Sequence, residues 1–171
     1  MITFTTGQVV TAAQMNATNR DLGNFILAPP LARMRQTVAG SVATSTWTSY
    51  ALDTEDIDRD NGHSTVTNTS RYTAQTAGWY TSKGKVSYAS NATNRRWARW
   101  AVNAAELAAS RVSMQAVNGD LSELAAPAAD IFLNLGDFVE IQGFQDSGGA
   151  LNSSVATVGD QSFMSVRWVS S

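Results

Sequence analysis

Asp53, Glu55, Asp56, Asp58 and Asp60 crowd into the run DTEDIDRDNG, where metal chemistry would be sought first. Carboxylate oxygens at alternate positions are what a calcium loop offers its ion. The spacing Asp56-x-Asp58-x-Asp60 departs from such a loop twice. Gly62 stands one place late for the sharp turn, and Thr67 occupies the position where a Glu would close the site. These departures favour an acidic, solvated loop over a calcium site. His63, beside that loop, is the sole histidine and the chain has no cysteine. A lone imidazole without a partner ligand predicts a structural role. No nucleophile motif surrounds it, no Gly-rich phosphate loop occurs, and the carboxylates sit in one loop instead of pairing across strands. The expectation is a protein with no catalytic residues, no cofactor and no metal site.

Binding is the remaining class. The chain has 171 residues, a net charge of −2 and only 15% charged residues. A nucleic-acid binder neutralises several phosphates and carries a basic excess, so that partner is not expected. Arg95, Arg96 and Arg99 cluster, and read as a solvated strand edge. No run approaches the ~18 apolar residues of a membrane span, and the start lacks the charged-then-apolar pattern of a signal peptide. No membrane insertion is expected. The sequons at Asn16, Asn68, Asn91 and Asn152 arise easily by chance in a Ser/Thr-rich chain.

Residues that could bind must be presented by strands. GWYTSKGKVSYASNATNRRWARWAVN, from Gly78 to Asn103, reads as two strands joined by a polar turn at 90–94, a hairpin at the centre of a β-sandwich. Alternation turns Tyr80, Ser82, Gly84, Val86 and Tyr88 one way, and Trp79, Lys83 and Lys85 the other. In the second strand Ala98, Trp100 and Val102 face the core, while Arg95, Trp97 and Arg99 face outward. Leu31 to Val42 reads as a linker running into a first strand, and Thr65 to Ala74 as another strand. A further strand from Glu106 to Val117 puts Leu107, Val112, Met114 and Val117 on the core. Leu121 to Pro127 reads as a loop, followed by strands around Ile131–Leu135, Phe138–Phe144 and Phe163–Val169. Pro29, Pro30 and Pro127 fall outside every expected strand, as sheet hydrogen bonding requires.

The opening is different in kind. Thr11 with Gln14 three residues on makes a capping box, in which each side chain satisfies an orphan N–H near the other. From Ala12 the residues Met15, Asn19, Leu22 and Ile26 follow at heptad spacing, with Asn19 in the seam, where a polar residue fixes register. The stripe suits either a short coiled coil or an amphipathic helix packed on a neighbour. Pro29-Pro30 end the helix. The run FTTGQVVTAAQMNATNRDLGNFILAPP, with Gly7, TAAQMN, Arg20-Asp21 and Ala28-Pro29-Pro30, resembles the opening of tailed-phage structural proteins, particularly minor tail proteins. That resemblance implies a virion location and attachment to other virion proteins through residues 1–35, with Met15, Asn19, Leu22 and Ile26 as the contacts.

Three later pieces, GWY, RWARWAVN and LNLGDFVEIQGFQDSGG followed by SFMSVRW, resemble the C1q/TNF-like jelly roll. Asn103-Ala104 departs from the Asn-Gly more usual there, and the phage-like segment stands where secreted C1q proteins carry a collagen-like stalk. The resemblance implies an all-β jelly-roll head over residues 36–171, homotrimeric and binding instead of catalytic. It places the strands from Trp79 and Phe138 in one sheet around a three-fold axis, with Trp79, Lys83, Lys85, Phe138, Gln142 and Phe144 as trimer contacts. Trp97 and Arg99 are then candidate receptor contacts on the outer sheet, suited to a host cell-surface glycan, unless the neighbouring turn folds over Trp97. The functional expectations are a trimeric head of a tail or fibre component touching the host, or a trimeric capsid decoration or head-fibre protein.

Overall fold

The computed structural model describes residues 6, 7, 9 and 11–171, with Arg20, Asp21 and Asn24 as backbone only. Phe4, Thr5, Gln8 and Val10 of the opening run lie outside the described residues, as do the side chains of Arg20 and Asp21.

Helix α1, Ala12–Leu27, starts at the expected capping box. The Gln14 amide donates to Thr11 Oγ1 at 3.2 Å, and the Thr11 N–H donates to Gln14 Oε1 at 2.9 Å. The strands follow as β1 (Leu31–Arg35), β2 (Ser41–Val42), β3 (Thr48–Ser49), β4 (Thr54–Asp58), β5 (Arg71–Thr73), β6 (Gly78–Tyr88) and β7 (Arg95–Val102). After them come β8 (Ala105–Glu106), β9 (Val112–Gln115), β10 (Ser122–Leu133), β11 (Phe138–Gln145), β12 (Leu151–Asn152) and β13 (Phe163–Ser170). One sheet has the order β10-β6-β13-β1-β4. The other runs β3-β11-β7-β8, with β5 also on β11 and β9 also on β7, and a short ribbon joins β12 to β2. The two sheets form an all-β jelly-roll sandwich, as expected.

Alternation builds the core. Tyr80, Val86 and Tyr88 from β6 meet Trp100 from β7 and Val139 and Ile141 from β11, all fully buried. Two glycines allow the sheets to approach. A Cβ on Gly84 would lie 2.7 Å from Ile141 Cδ1 and 2.9 Å from Trp100 Cη2, and one on Gly143 would lie 2.3 Å from Tyr88 Oη. Any larger residue at either place would push the sheets apart.

Several local expectations change. Gly78 to Asn103 is not a hairpin, because β6 pairs with β10 and β13 while β7 pairs with β11, β8 and β9. The polar turn carries the chain from one sheet to the other. Leu31–Arg35 is not a linker but an inner strand between β13 and β4, with Ala32 and Met34 fully buried. The jelly roll therefore begins at Leu31, inside the segment read as an appendage. Of Thr65 to Ala74 only β5 is strand, and Val117 is exposed. Leu121 to Pro127 is largely β10, which runs through Pro127. That strand is at a sheet edge and its register shifts between Ala126 and Ala129, so the missing N–H breaks no inner ladder. Arg96 is fully buried instead of solvated. Its guanidinium donates to the carbonyls of Thr93, Arg95 and Asn91 and to Asn91 Oδ1, tying down the turn before β7.

Candidate functional site

The acidic run is not a loop. Thr54–Asp58 is edge strand β4, flanked by Asp53 and Asp60, and four of the carboxylates have separate partners. Asp53 accepts from the N–H groups of Thr37 and Val38 and from the Thr37 hydroxyl. Asp56 takes Arg33 and Arg35, Asp58 accepts the amides of Gly62 and His63, and Asp60 accepts the Tyr72 hydroxyl at 2.6 Å. Among the described residues no three metal-ligating side chains converge. The His63 ring nitrogens each lie 2.8 Å from a carbonyl oxygen, those of Arg71 and Leu52, so the imidazole staples two segments together.

Burial opposes ionisation of Asp53, but the Thr37 hydroxyl, the two amides and the Thr54 hydroxyl outweigh it and hold the carboxyl below its ordinary value. A group depressed in the folded state contributes stability that is complete above its unfolded pKa and is lost as pH falls through the folded one. Melting temperature is therefore expected to fall on acidification below the usual carboxylate range. Asp53→Asn should lower it at neutral pH and flatten that acid limb. An unchanged acid limb in a pH series of melting curves would remove Asp53 from this role.

The expected contact residues lie on two opposite faces. On the outward face of the five-stranded sheet Trp79 and Phe132, cross-strand partners on β6 and β10, form an edge-on pair with ring centroids 5.6 Å apart. Each stays 46% exposed, unusual for two adjoining aromatic rings on a surface. Lys83 is exposed on the same face, and Lys85 donates to Glu123 and to the Gly159 carbonyl.

Phe138, Gln142 and Phe144 are not on that face, because β11 belongs to the six-stranded sheet. They share its outward side with Trp97 and Arg99. Register sets Phe144 opposite Trp97 and Gln142 opposite Arg99. The Trp97 and Phe144 rings stand edge-on with centroids 4.9 Å apart, and Arg99 Nε donates to Gln142 Oε1 at 2.8 Å. Trp47, absent from the expected set, completes the cluster. Its ring lies 5.3 Å from Phe144, with the Arg99 guanidinium 4.0 Å above it and that of Arg111 at 5.3 Å. Glu106 accepts from both arginines, and the Arg111 hydrogen bonds hold its carboxyl below the ordinary value. At the far end Arg71 stacks over Phe138. Trp97 is half-buried, so the adjoining turn does not fold over it completely. The chemistry on offer is an aromatic platform with fixed donors and acceptors at its margin, suited to recognition. Trp47 stands alone in a Ser/Thr run, and no local spacing links it to β7; Phe132 could have been found as an aromatic on the outward beat between Ile131 and Leu133.

The third element is α1. Met15, Leu22 and Ile26 are 52%, 57% and 67% exposed, and Asn19 is exposed beside them. What holds the helix to the sandwich is Phe25, whose ring meets Trp168 edge-on at 4.8 Å. Between helix and sheet lies a groove of ≈ 1460 Å³ bordered by Leu22, Phe25, Ile26, Arg167, Trp168 and Val169. Among the described residues no helix is long and apolar enough to cross a membrane.

No family model matches the chain, and no curated protein matches it in sequence. Solved structures do. Murine APRIL at pH 5.0 superposes with a TM-score of 0.60 at 11% identity, covering 81% of this chain and 98% of that one. The Eiger TNF of S. frugiperda gives 0.55 at 13% identity, over 82% and 94%. PRD1 vertex protein P5 gives 0.56 at 15% identity, over 81% and 72%. At these identities the likeness establishes the fold, a TNF-like jelly roll.

Proposed function

We propose that this chain is a non-enzymatic virion protein whose jelly roll forms a homotrimeric head on a phage tail or fibre component. It engages the host surface with the six-stranded sheet. Its opening segment, through α1 and the stripe of Met15, Asn19, Leu22 and Ile26, attaches the head to other virion proteins. The observation that carries the reading is the separation of two aromatic surfaces onto opposite sheets. The exposed Trp79–Phe132 pair, with Lys83 and Lys85 beside it, is the trimer contact, since a closed three-fold ring would remove those rings from water. Phe138 and Phe144 leave the trimer set and join Trp97, Arg99 and Trp47 as the receptor surface, while Gln142, also out of the trimer set, is buried and acts only by holding Arg99. Trp and Arg are the residues most enriched at binding hot spots, and an indole face suits the apolar side of a host glycan ring. The likeness to a vertex protein supports a second reading, a trimeric decoration or head-fibre protein on the capsid with a purely structural role.

Trp97→Ala is expected to lower host adsorption of particles by about ten-fold or more, the size of a hot-spot loss. Normal adsorption by that variant would remove the receptor role and leave the structural reading. A light-scattering mass of one chain at micromolar concentration would overturn the trimer, and labelled antibody on intact particles would separate tail from capsid.

A further inference from the structure

The stripe on α1 and the groove beneath it have a common occupant. Ala12, Asn19 and Ile26 stand at one heptad position, Met15 and Leu22 at the other. Phe25, which grips the sandwich, lies about 100° round the helix from Ile26, so docking to the chain's own body leaves the stripe uncovered. Leu22 and Ile26 nonetheless border the groove, whose ≈ 1460 Å³ exceeds the roughly 300–1,000 Å³ of small-molecule sites and suits a length of chain.

We propose that the groove receives α1 of a second copy of this chain, stripe against stripe, giving the homotrimer an inter-subunit helix bundle at one end. Three observations select a second copy. Asn16, Thr18, Gly23 and Phe25, the positions flanking the seam, are all uncharged, so identical helices meet without like charges facing each other. Asn19 in mid-seam is the kind of polar residue that fixes register between helices, and identical chains can pair it with itself. The helix also leads through Pro29 and Pro30 directly into β1, in the sheet that presents the exposed Trp79–Phe132 pair. Two heptads are too short to associate alone, but copies joined at that face hold their helices at an effective concentration on the order of millimolar. The inference rests on the homotrimer reading, and it moves Met15, Asn19, Leu22 and Ile26 from direct contact with another virion protein into the seam, so that the outer surface of the bundle is what that protein grips.

A chain without cysteine allows a clean test. Asn19→Cys in the full chain, oxidised in dilute solution, is expected to give disulfide-linked pairs on a non-reducing gel. The yield should be clearly above that of Ala13→Cys, a position outside the seam, because only seam positions of facing helices bring their Cα atoms within the ~7 Å that a disulfide spans. As a second variant, Asn19→Leu should make the trimer more resistant to dissociation on dilution, because a polar seam residue lowers stability in exchange for register. Equal yields at the two positions, or no linkage in a protein whose scattering mass is three chains, would overturn the bundle and leave the trimer standing. Unchanged dissociation of Asn19→Leu would count the same way. A mass of one chain would overturn the homotrimer reading and the bundle with it.

Discussion

A chain that begins at Pro30 is expected to fold into the same sandwich yet be missing from particles, whereas one that begins at Gln36 is expected not to fold. The difference is β1. It makes a continuous antiparallel ladder with β13, from Leu31 opposite Arg167 to Arg35 opposite Phe163, and it holds β4 on its other side. Removing it withdraws Met34 from the core, a loss of about 2–5 kcal/mol for a Met-sized cavity. It also opens the ladders to β13 and β4 and separates Asp56 from Arg33 and Arg35. Against a net stability of roughly 5–15 kcal/mol for a typical domain, the sum is not survivable. Pro30 must stay because its carbonyl accepts the Trp168 amide at 3.0 Å. Circular dichroism separates the two truncations, and mass spectrometry of purified particles reads incorporation. Normal incorporation of the chain starting at Pro30 would place the anchor elsewhere in the molecule.

Two tryptophans three residues apart on β7 should respond in opposite ways. Trp100 is fully buried under Gly84, and its indole N–H donates to the Pro127 carbonyl at 2.7 Å. Trp100→Ala is expected to cost about 3–5 kcal/mol. In a domain of this size that lowers the melting temperature by roughly 6–20 °C, at 2–4 °C per kcal/mol. Trp97 points away from the core and touches Phe144, and an aromatic pair of that kind contributes about 0.5–1.5 kcal/mol beyond its area. Trp97→Ala should therefore lower melting by only a few degrees, by the same scale, while carrying the adsorption defect. If melting of Trp97→Ala fell as far as that of Trp100→Ala with adsorption intact, Trp97 would be a packing residue and the platform would have no receptor role.

The amino-acid sequence by itself determined the β-strand character of the body, the capped helix, its stop at Pro29-Pro30 and the inward residues of β6 and β7. Each of these is encoded within a few residues, by a two-residue beat, a cap or a proline, and so survives without knowledge of the partners. Which strand lies beside which is not encoded that way. The same alternation in 78–103 serves a hairpin or a crossing between sheets, and only the pairing of β6 with β10 and β13 decides it. That choice moved Phe138, Gln142 and Phe144 from the side of Trp79 to the side of Trp97, and brought in Trp47 from 50 residues upstream of Trp97. Charge misled for a related reason. Arg96 is adjacent to two solvent-facing residues and reads as surface, yet the carbonyls of Asn91, Thr93 and Arg95 accept from both its terminal nitrogens and leave only Nε without a partner in the interior. The run from Asp53 to Asp60 looks like one site in sequence, but Asp53, Asp56, Asp58 and Asp60 are each held by donors from a different part of the chain, which the sequence does not reveal. Patterns local to the chain could be read from it; the composition of each aromatic face depended on contacts between residues far apart, which only the closed sandwich specifies.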